Sequence, residues 1–265
     1  MIESCRICKG TLVHKFQKKQ LNYLVSYLEC QKCHSLQTER PYWLDEAYSD
    51  LNFAIDTGMA SRTIWTSKLV LALSLLEKFT TEDLCIDFGG GTGLFTRLLR
   101  DAGLNAYWDD KYCKNIFSLG FEKEISTQQT IKLITSFEVL EHLPSPWQTL
   151  KSIFLSKPDY FFCSTTLYSG QDLDWWYLLN NGQHVQFYSA DGLQFLAQKF
   201  GYHLQSRQGT LHLFSREPCH PKLLKKIIKT AEKENLQKKL KHFFGSRTLE
   251  DSHYLVRKEA CNIAK

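Results

Sequence analysis

Three groups of residues in this 265-residue chain have types and spacings suited to chemistry. Cys5-Arg6-Ile7-Cys8 and Cys30-Gln31-Lys32-Cys33 are two CxxC pairs with 21 residues between them. A CxxC on a tight turn aims two thiolates at one point, and a second such turn completes a tetrahedron around zinc. Gly10 lets the backbone pass beneath such an ion, and His34 is an alternative fourth ligand. Asp87-Phe88-Gly89-Gly90-Gly91-Thr92-Gly93 is a glycine-rich loop headed by an acid. Glu141-His142 and His184 bring a carboxyl and two imidazoles, groups that move protons near neutral pH. Each also has an architectural reading: the Glu-His pair as a helix cap or loop organiser, His184 as a lid held by a backbone hydrogen bond.

The elements that must position these groups follow from apolar pattern and turn residues. Residues 11–29 hold enough apolar positions for a short hairpin but too few for a core, so a bound metal would supply the missing stability. Residues 39–56 are polar and turn-rich. Residues 61–79 read as a helix, capped by Ser61 or Thr63. From residue 84 strands and helices alternate: strands at 84–88, 105–108, 131–137 and 160–164, helices at 94–102, 146–155 and 190–200. Such alternation predicts an α/β layered sheet, mostly parallel. Residues 202–204 and 211–214 flank Gly209 closely enough for a hairpin, which would give an antiparallel edge. Beyond residue 219 at most two helices fit, the first with Leu224, Ile228, Ala231, Leu240 and Phe243 on one face, ending at Gly245. Thr248 and Asp251 have the spacing of a helix-capping box.

The glycine spacing selects the ligand. A dinucleotide loop requires GxGxxG/A, and from Gly89 or Gly91 the last slot falls on Leu94 or Thr96. No Walker lysine follows, which excludes a P-loop. What remains, an acid followed by GxGxG, resembles motif I of the class I S-adenosylmethionine-dependent methyltransferases. Phe137-Glu138-Val139-Leu140-Glu141-His142-Leu143 resembles motif IV in the branch that carries an EVLEHL string. Trp175-Trp176-Tyr177-Leu178 and Gly182-Gln183-His184-Val185-Gln186-Phe187-Tyr188-Ser189 resemble that branch after its fifth strand. The likeness covers roughly residues 60–215, and the branch often carries an N-terminal zinc-binding CxxC…CxxC module. Phe88 departs from the small or aliphatic residue common between the acid and the glycines, and the long basic tail has no counterpart.

The resemblance implies a Rossmann-like sheet flanked by helices, with an antiparallel last strand and S-adenosyl-L-methionine as cofactor. Asp87, Gly89, Gly91 and Gly93 would bind it. Asp109 or, by preference, Asp110 would hold its ribose, and Phe137 and Glu138 would lie beside its adenine and methionine portions. A sulfonium cofactor has no pyrophosphate, so the loop builds no anion cradle, and Asp87 can receive the ammonium directly or through water. His142, Glu141 and His184 are the candidate catalytic residues, and Trp175, Trp176 and Tyr177 are candidate walls of an acceptor pocket. Cys113 and Cys163 lack a flanking base and read as buried thiols. The expected organisation is a zinc ribbon at 1–38, a linker at 39–60, the methyltransferase domain at 61–215 and a basic helical tail at 216–265. Cys5, Cys8, Cys30 and Cys33 would hold a structural Zn2+.

Charge narrows the partners. Residues 216–265 carry 13 Lys and Arg against 6 Asp and Glu, whereas the other 215 residues are slightly acidic, with 20 against 22. The net charge of +5 is therefore a property of the tail, and a basic body that grips nucleic acid is not supported. No apolar run approaches the ~20 residues of a membrane span. The first residues lack a signal peptide's basic start and apolar stretch, so a soluble cytoplasmic protein is expected. Three functions compete: a methyltransferase acting on a sugar or secondary-metabolite acceptor, an RNA methyltransferase gripping RNA with ribbon and tail, and a non-catalytic cofactor-binding adaptor.

Overall fold

A computed structural model of the chain describes residues 4–49, 57–123, 130–234, 236 and 244–263. Along the chain, β1 (Leu12–Gln20), β2 (Tyr23–Cys30) and β3 (Leu36–Thr38) precede a single helical turn, α1 (Leu44–Ala47). Next come α2 (Met59–Leu76), β4 (Leu84–Phe88), α3 (Leu94–Asp101), β5 (Asn105–Asp109) and β6 (Ile131–Phe137). A 3-10 turn at Leu140–His142 leads to α4 (Pro146–Leu155), β7 (Tyr160–Ser164), β8 (Gln186–Phe187) and α5 (Ala190–Phe200). The described elements end with β9 (His203–Arg207), β10 (Leu211–Ser215), α6 (Leu223–Ala231) and α7 (Thr248–Ile263). Among the described residues no helix is long and apolar enough to cross a membrane.

By compactness the chain forms two units. One unit combines residues 1–56 with 136–221, and the other combines 57–135 with 222–265. In the second, β4 pairs in parallel with β5 and with β6, in registers from Leu84↔Asn105 to Phe88↔Asp109 and from Leu84↔Ile131 to Asp87↔Thr135. Leu84, Cys85, Ile86 and Asp87 are all buried, as a parallel strand covered on both faces requires. Helix α2 starts at Met59 after Gly58, with no side-chain cap, so neither Ser61 nor Thr63 caps it. It buries Leu69 through Leu73 in succession and packs against α3 and α6.

The basic tail contributes to that unit's interior. Leu223, Leu224, Ile227, Ile228 and Ala231 of α6 are buried while Lys225, Lys226 and Lys229 are exposed. Leu240 and Phe243, expected on the same face, lie outside the described residues. Asp251 does not act as a capping-box acid. Its carboxylate accepts two bonds from the buried Arg100 guanidinium, at 2.8 and 2.5 Å, while Thr248 donates to Asp101 at 2.9 Å. Arg100 also donates to the Ala106 carbonyl at 2.9 Å and lies 3.7 Å from the Phe121 ring centroid.

In the first unit, β1, β2, β3 and β8 form an antiparallel sheet in that order. The hairpin is long, eight to nine residues a side, and its sheet is completed by β8 from far along the chain. Tyr27, Leu36, Trp43, Tyr168, Tyr177 and Phe187 make the core beside it. The expected antiparallel hairpin forms at the end of the other sheet: β10 pairs antiparallel with β7 on one side and with β9 on the other, so the last strand is inserted and β9 forms the edge.

Candidate functional site

The glycine loop leaves the carboxyl end of β4 and enters α3. Gly89, Gly91 and Gly93 have φ of 74°, 54° and 84°, left-handed values that L side chains resist. The glycines differ in what surrounds them. A Cβ on Gly90 would stand 2.6 Å from Trp108 and 2.8 Å from an Asp87 carboxyl oxygen, and one on Gly93 would strike Asn115 and Ser118. A Cβ on Gly91 would meet no protein atom within 4 Å. Gly90 and Gly93 are thus packing glycines, whereas Gly91 presents bare backbone to open space.

Asp87 lies beneath the loop, 4% exposed, and its two oxygens accept bonds of 3.1 Å from the hydroxyls of Thr96 and Thr135. Burial pushes its carboxyl up to about 7, the two threonines draw it back, and Asp110 and Asp109 push it further up. The two candidate ribose acids have separate partners. Asp110 accepts from the Gly91 N–H at 2.9 Å and from the N–H groups of Tyr112 and Cys113 at 2.8 Å each. Asp109 pairs with Lys123 at 2.7 Å. Asp110 is the acid that sets the loop's shape. Trp108 adds an indole bond of 2.9 Å to the Gly91 carbonyl, a contact without a sequence signal.

In the other unit, residues 138–142 and 183–188 are brought together. The Val185 N–H donates to the Glu141 carbonyl at 2.9 Å, and the Tyr188 hydroxyl donates to the Leu140 carbonyl at 3.2 Å. These bonds set the His142 and His184 rings 4.7 Å apart at 81°. Nδ1 of His184 stands 2.8 Å from the Tyr177 carbonyl, and Nδ1 of His142 stands 3.2 Å from the Gln183 carbonyl and 3.0 Å from the Tyr48 hydroxyl. A carbonyl can only accept, so Nδ1 carries the hydrogen in both rings and Nε2 keeps the lone pair. Burial lowers His142 to about 4 and His184 to about 3, so both are neutral imidazoles.

Glu141 is fully buried, and neither of its carboxyl oxygens has a hydrogen-bond partner among the described residues. Burial, then the charge of Glu138, pushes its carboxyl up to about 8, against a weaker downward pull from its own backbone N–H and from the Tyr177 and Thr165 hydroxyls, which lie close by but beyond ordinary hydrogen-bond length or angle. Glu138 has φ of 57°, a left-handed conformation unusual for glutamate. Ser164 holds it there, accepting from the Glu138 N–H at 2.9 Å and donating to its carboxylate at 2.6 Å. Phe137, one residue earlier, packs edge-on against Phe162. Of the aromatic candidates, Trp175 and Tyr177 belong to the core beside the four-stranded sheet and Trp176 is 69% exposed. Cys163 is buried as expected, whereas Cys113 is half-buried. Tyr48, which fixes His142, comes from a stretch whose composition reads only as linker.

The four cysteines converge. Cys5 and Cys33 sulfurs are 3.6 Å apart, those of Cys8 and Cys30 are 3.5 Å apart, and all four lie within 4.8 Å of one another. Sulfurs around a tetrahedral ion with bonds of about 2.3 Å stand roughly 3.8 Å apart, so this donor set fits Zn2+. Residues after each pair, Lys9 and His34, take left-handed φ of 62° and 55°, which closes both turns. His34 is exposed and faces Asp191. A Cβ on Gly10 would stand 2.9 Å from the Cys30 sulfur and 3.2 Å from that of Cys8, the obstruction its lack of a side chain avoids. The module is wired to the histidine segment: Arg6 donates to the carbonyls of Thr38, Glu39 and Val185, and β3 pairs with β8.

The chain is similar in structure to TnmH (20% identity, TM-score 0.44), over 67% of this chain and 62% of that one. It is also similar to CalO1, a methyltransferase in calicheamicin biosynthesis (14%, TM-score 0.45, 66% and 60%). A third likeness is to magnesium protoporphyrin IX methyltransferase from Synechocystis PCC 6803 (16%, TM-score 0.42, 67% and 98%). The chain spans less than two thirds of the length of the first two. No curated protein matches it significantly. The sequence profile of the family described as "Methyltransferase domain" matches residues 65–207, which is more than half of the chain and includes the glycine loop, the EVLEHL turn and His184. The chain belongs to that methyltransferase-domain family.

Proposed function

We propose that this protein transfers a methyl group from S-adenosylmethionine to a small-molecule acceptor of the sugar or secondary-metabolite type, by in-line displacement. The observation that carries the reading is the loop at the end of β4, where Gly91, unlike Gly90 and Gly93, presents an unobstructed backbone above a buried acid. S-adenosylmethionine, when bound, supplies an electrophilic methyl on a sulfonium. Gly89, Gly91 and Gly93 would let the backbone approach it, Asp87 would answer its ammonium, Asp110 with Asp109 beside it would take the ribose, and Phe137 and Glu138 would line its edge. Two hydroxyls already fix the Asp87 carboxyl, so little reorganisation is needed on binding.

In this reading Glu141, His142 and His184 form the acceptor side, and His142 takes the acceptor's proton through Nε2. The carbonyl contacts at Nδ1 of both rings, which leave Nε2 as the accepting atom, support it. Cys5, Cys8, Cys30 and Cys33 hold a structural zinc ion, which anchors the sheet that carries β8. Calorimetry with S-adenosylmethionine, followed by transfer of its radiolabelled methyl to pooled small molecules and to RNA, tests the reading. Micromolar binding and label on a small molecule are expected. Label on RNA, with steeply salt-dependent binding, would assign the alternative acceptor, and failure to bind the cofactor would remove the reading altogether.

A further inference from the structure

The Glu141 carboxyl poses a problem that the hydrogen bonds around it do not solve. Both oxygens are buried without a hydrogen bond of ordinary length among the described residues, with only the Tyr177 and Thr165 hydroxyls nearby to draw on, whereas the buried acids Asp87 and Asp251 are each bonded on both oxygens. A poorly partnered buried carboxyl is costly, and a group of this kind calls for a ligand. Its neighbours are two imidazoles whose Nδ1 atoms are both turned to backbone carbonyls, which leaves two Nε2 lone pairs. A ring nitrogen tied to a carbonyl with the other nitrogen free is the arrangement that orients histidines on metals. One ligand atom from each of Glu141, His142 and His184 lies within 4.8 Å of the others. Donors bound at about 2.0–2.2 Å sit roughly 3–3.5 Å apart, a contraction that side-chain rotation can supply.

We propose that Glu141, His142 and His184 bind a divalent metal ion of the Zn2+, Co2+ or Mn2+ type, at a site separate from the four cysteines. Two imidazoles and one carboxylate are donors for borderline ions, whereas four thiolates select zinc. A cation would also relieve the repulsion between Glu141 and Glu138. Three protein ligands leave at least one coordination position open, and its natural occupant is a hydroxyl oxygen of the acceptor. That last assignment rests on the methyltransferase reading. An imidazole that ligates has no lone pair for a proton, so with the ion present the metal, not His142, acidifies that hydroxyl, and the proton leaves to water.

The test uses the full chain with zinc filling the four-cysteine site, titrated with Co2+ alone and followed by calorimetry and visible absorption. One further equivalent is expected, with d–d bands and no sulfur-to-cobalt charge transfer. Glu141→Gln and His184→Gln should each weaken Co2+ binding at least about tenfold, with far-ultraviolet circular dichroism unchanged. The inference fails if the wild-type chain takes up no Co2+, Mn2+ or Zn2+ beyond one equivalent. It fails equally if the extra equivalent shows thiolate bands, or persists undiminished in folded Glu141→Gln, His142→Gln and His184→Gln. The wild-type stoichiometry and spectrum decide the matter even if a variant does not fold. S-adenosylmethionine binding measured on the same sample keeps the two readings apart: cofactor without Co2+ sinks only the metal site, and Co2+ without cofactor sinks only the methyltransferase assignment.

Discussion

Replacing Gly91 by valine separates cofactor binding from folding. At φ of 54° a side chain costs about 1–2 kcal/mol in backbone strain. The Cβ itself adds no collision to that, because it meets no protein atom within 4 Å. In a domain of this size the loss lowers Tm by only a few degrees. The valine would instead fill the space the cofactor needs. A micromolar complex is worth about −8 kcal/mol, and we expect calorimetry to show a loss of at least 100-fold, or about 2.7 kcal/mol. Gly93→Val is the control with the opposite profile. Its Cβ would strike the Asn115 and Ser118 side chains, which bond each other and the Gly93 carbonyl. Strain and overpacking together should cost roughly 2–5 kcal/mol of stability. If folded Gly91→Val bound S-adenosylmethionine as tightly as the wild type, the loop would be a structural turn and the argument from its geometry would be wrong.

Elemental analysis of protein purified under reducing conditions without chelators should find about one tightly held zinc that Cys30→Ser loses; zero zinc in the wild type counts against the site. Cofactor affinity should fall as pH drops below about 7, approaching tenfold per unit, because the ammonium binds the ionised Asp87 carboxylate and burial makes that form scarce in acid. Asp87→Asn should bind weakly with a flat profile, and a flat profile in the wild type would show that Asp87 does not meet the ammonium. Asp251→Ala should cost about 3–5 kcal/mol in denaturant unfolding, since it strands the buried Arg100 guanidinium. A loss below about 1 kcal/mol would show that water reaches Arg100 when its partner is gone.

What the sequence disclosed was local. The strand at 84–88, the loop after it, the helix over 146–155 and the two CxxC turns are each specified by residues within a few positions of one another. What it concealed was pairing across long separations. β8 is two residues long, too short for any periodicity, and exists because Leu36 and Gln37 offer it an edge. Thr248 and Asp251 have capping-box spacing, yet the buried Arg100 offers Asp251 a stronger partner than a helix N–H, and tertiary structure overrides the local pattern. Tyr48 sits in a polar stretch and gains a role only where it meets His142. The EVLEHL turn and the later His184 were each visible, but their convergence depends on the Val185 and Tyr188 bonds, which no spacing predicts.

The interleaving of the two compact units imposes an order on biosynthesis. Residues 1–56 need residues 136–221 to finish their unit, and residues 57–135 need 222–265 to finish theirs. At roughly 5–20 residues per second, the amino-terminal hairpin leaves the ribosome several seconds before β8 is made. All four cysteines fall within its first 33 residues, so a zinc ion can close the hairpin during that interval. The outer edge of β3 has no such early partner. It stays open until Gln186 and Phe187 arrive, and an open strand edge is a template for other chains. The nascent protein is therefore most vulnerable to aggregation between synthesis of β3 and synthesis of β8, and chaperone dependence should be concentrated there.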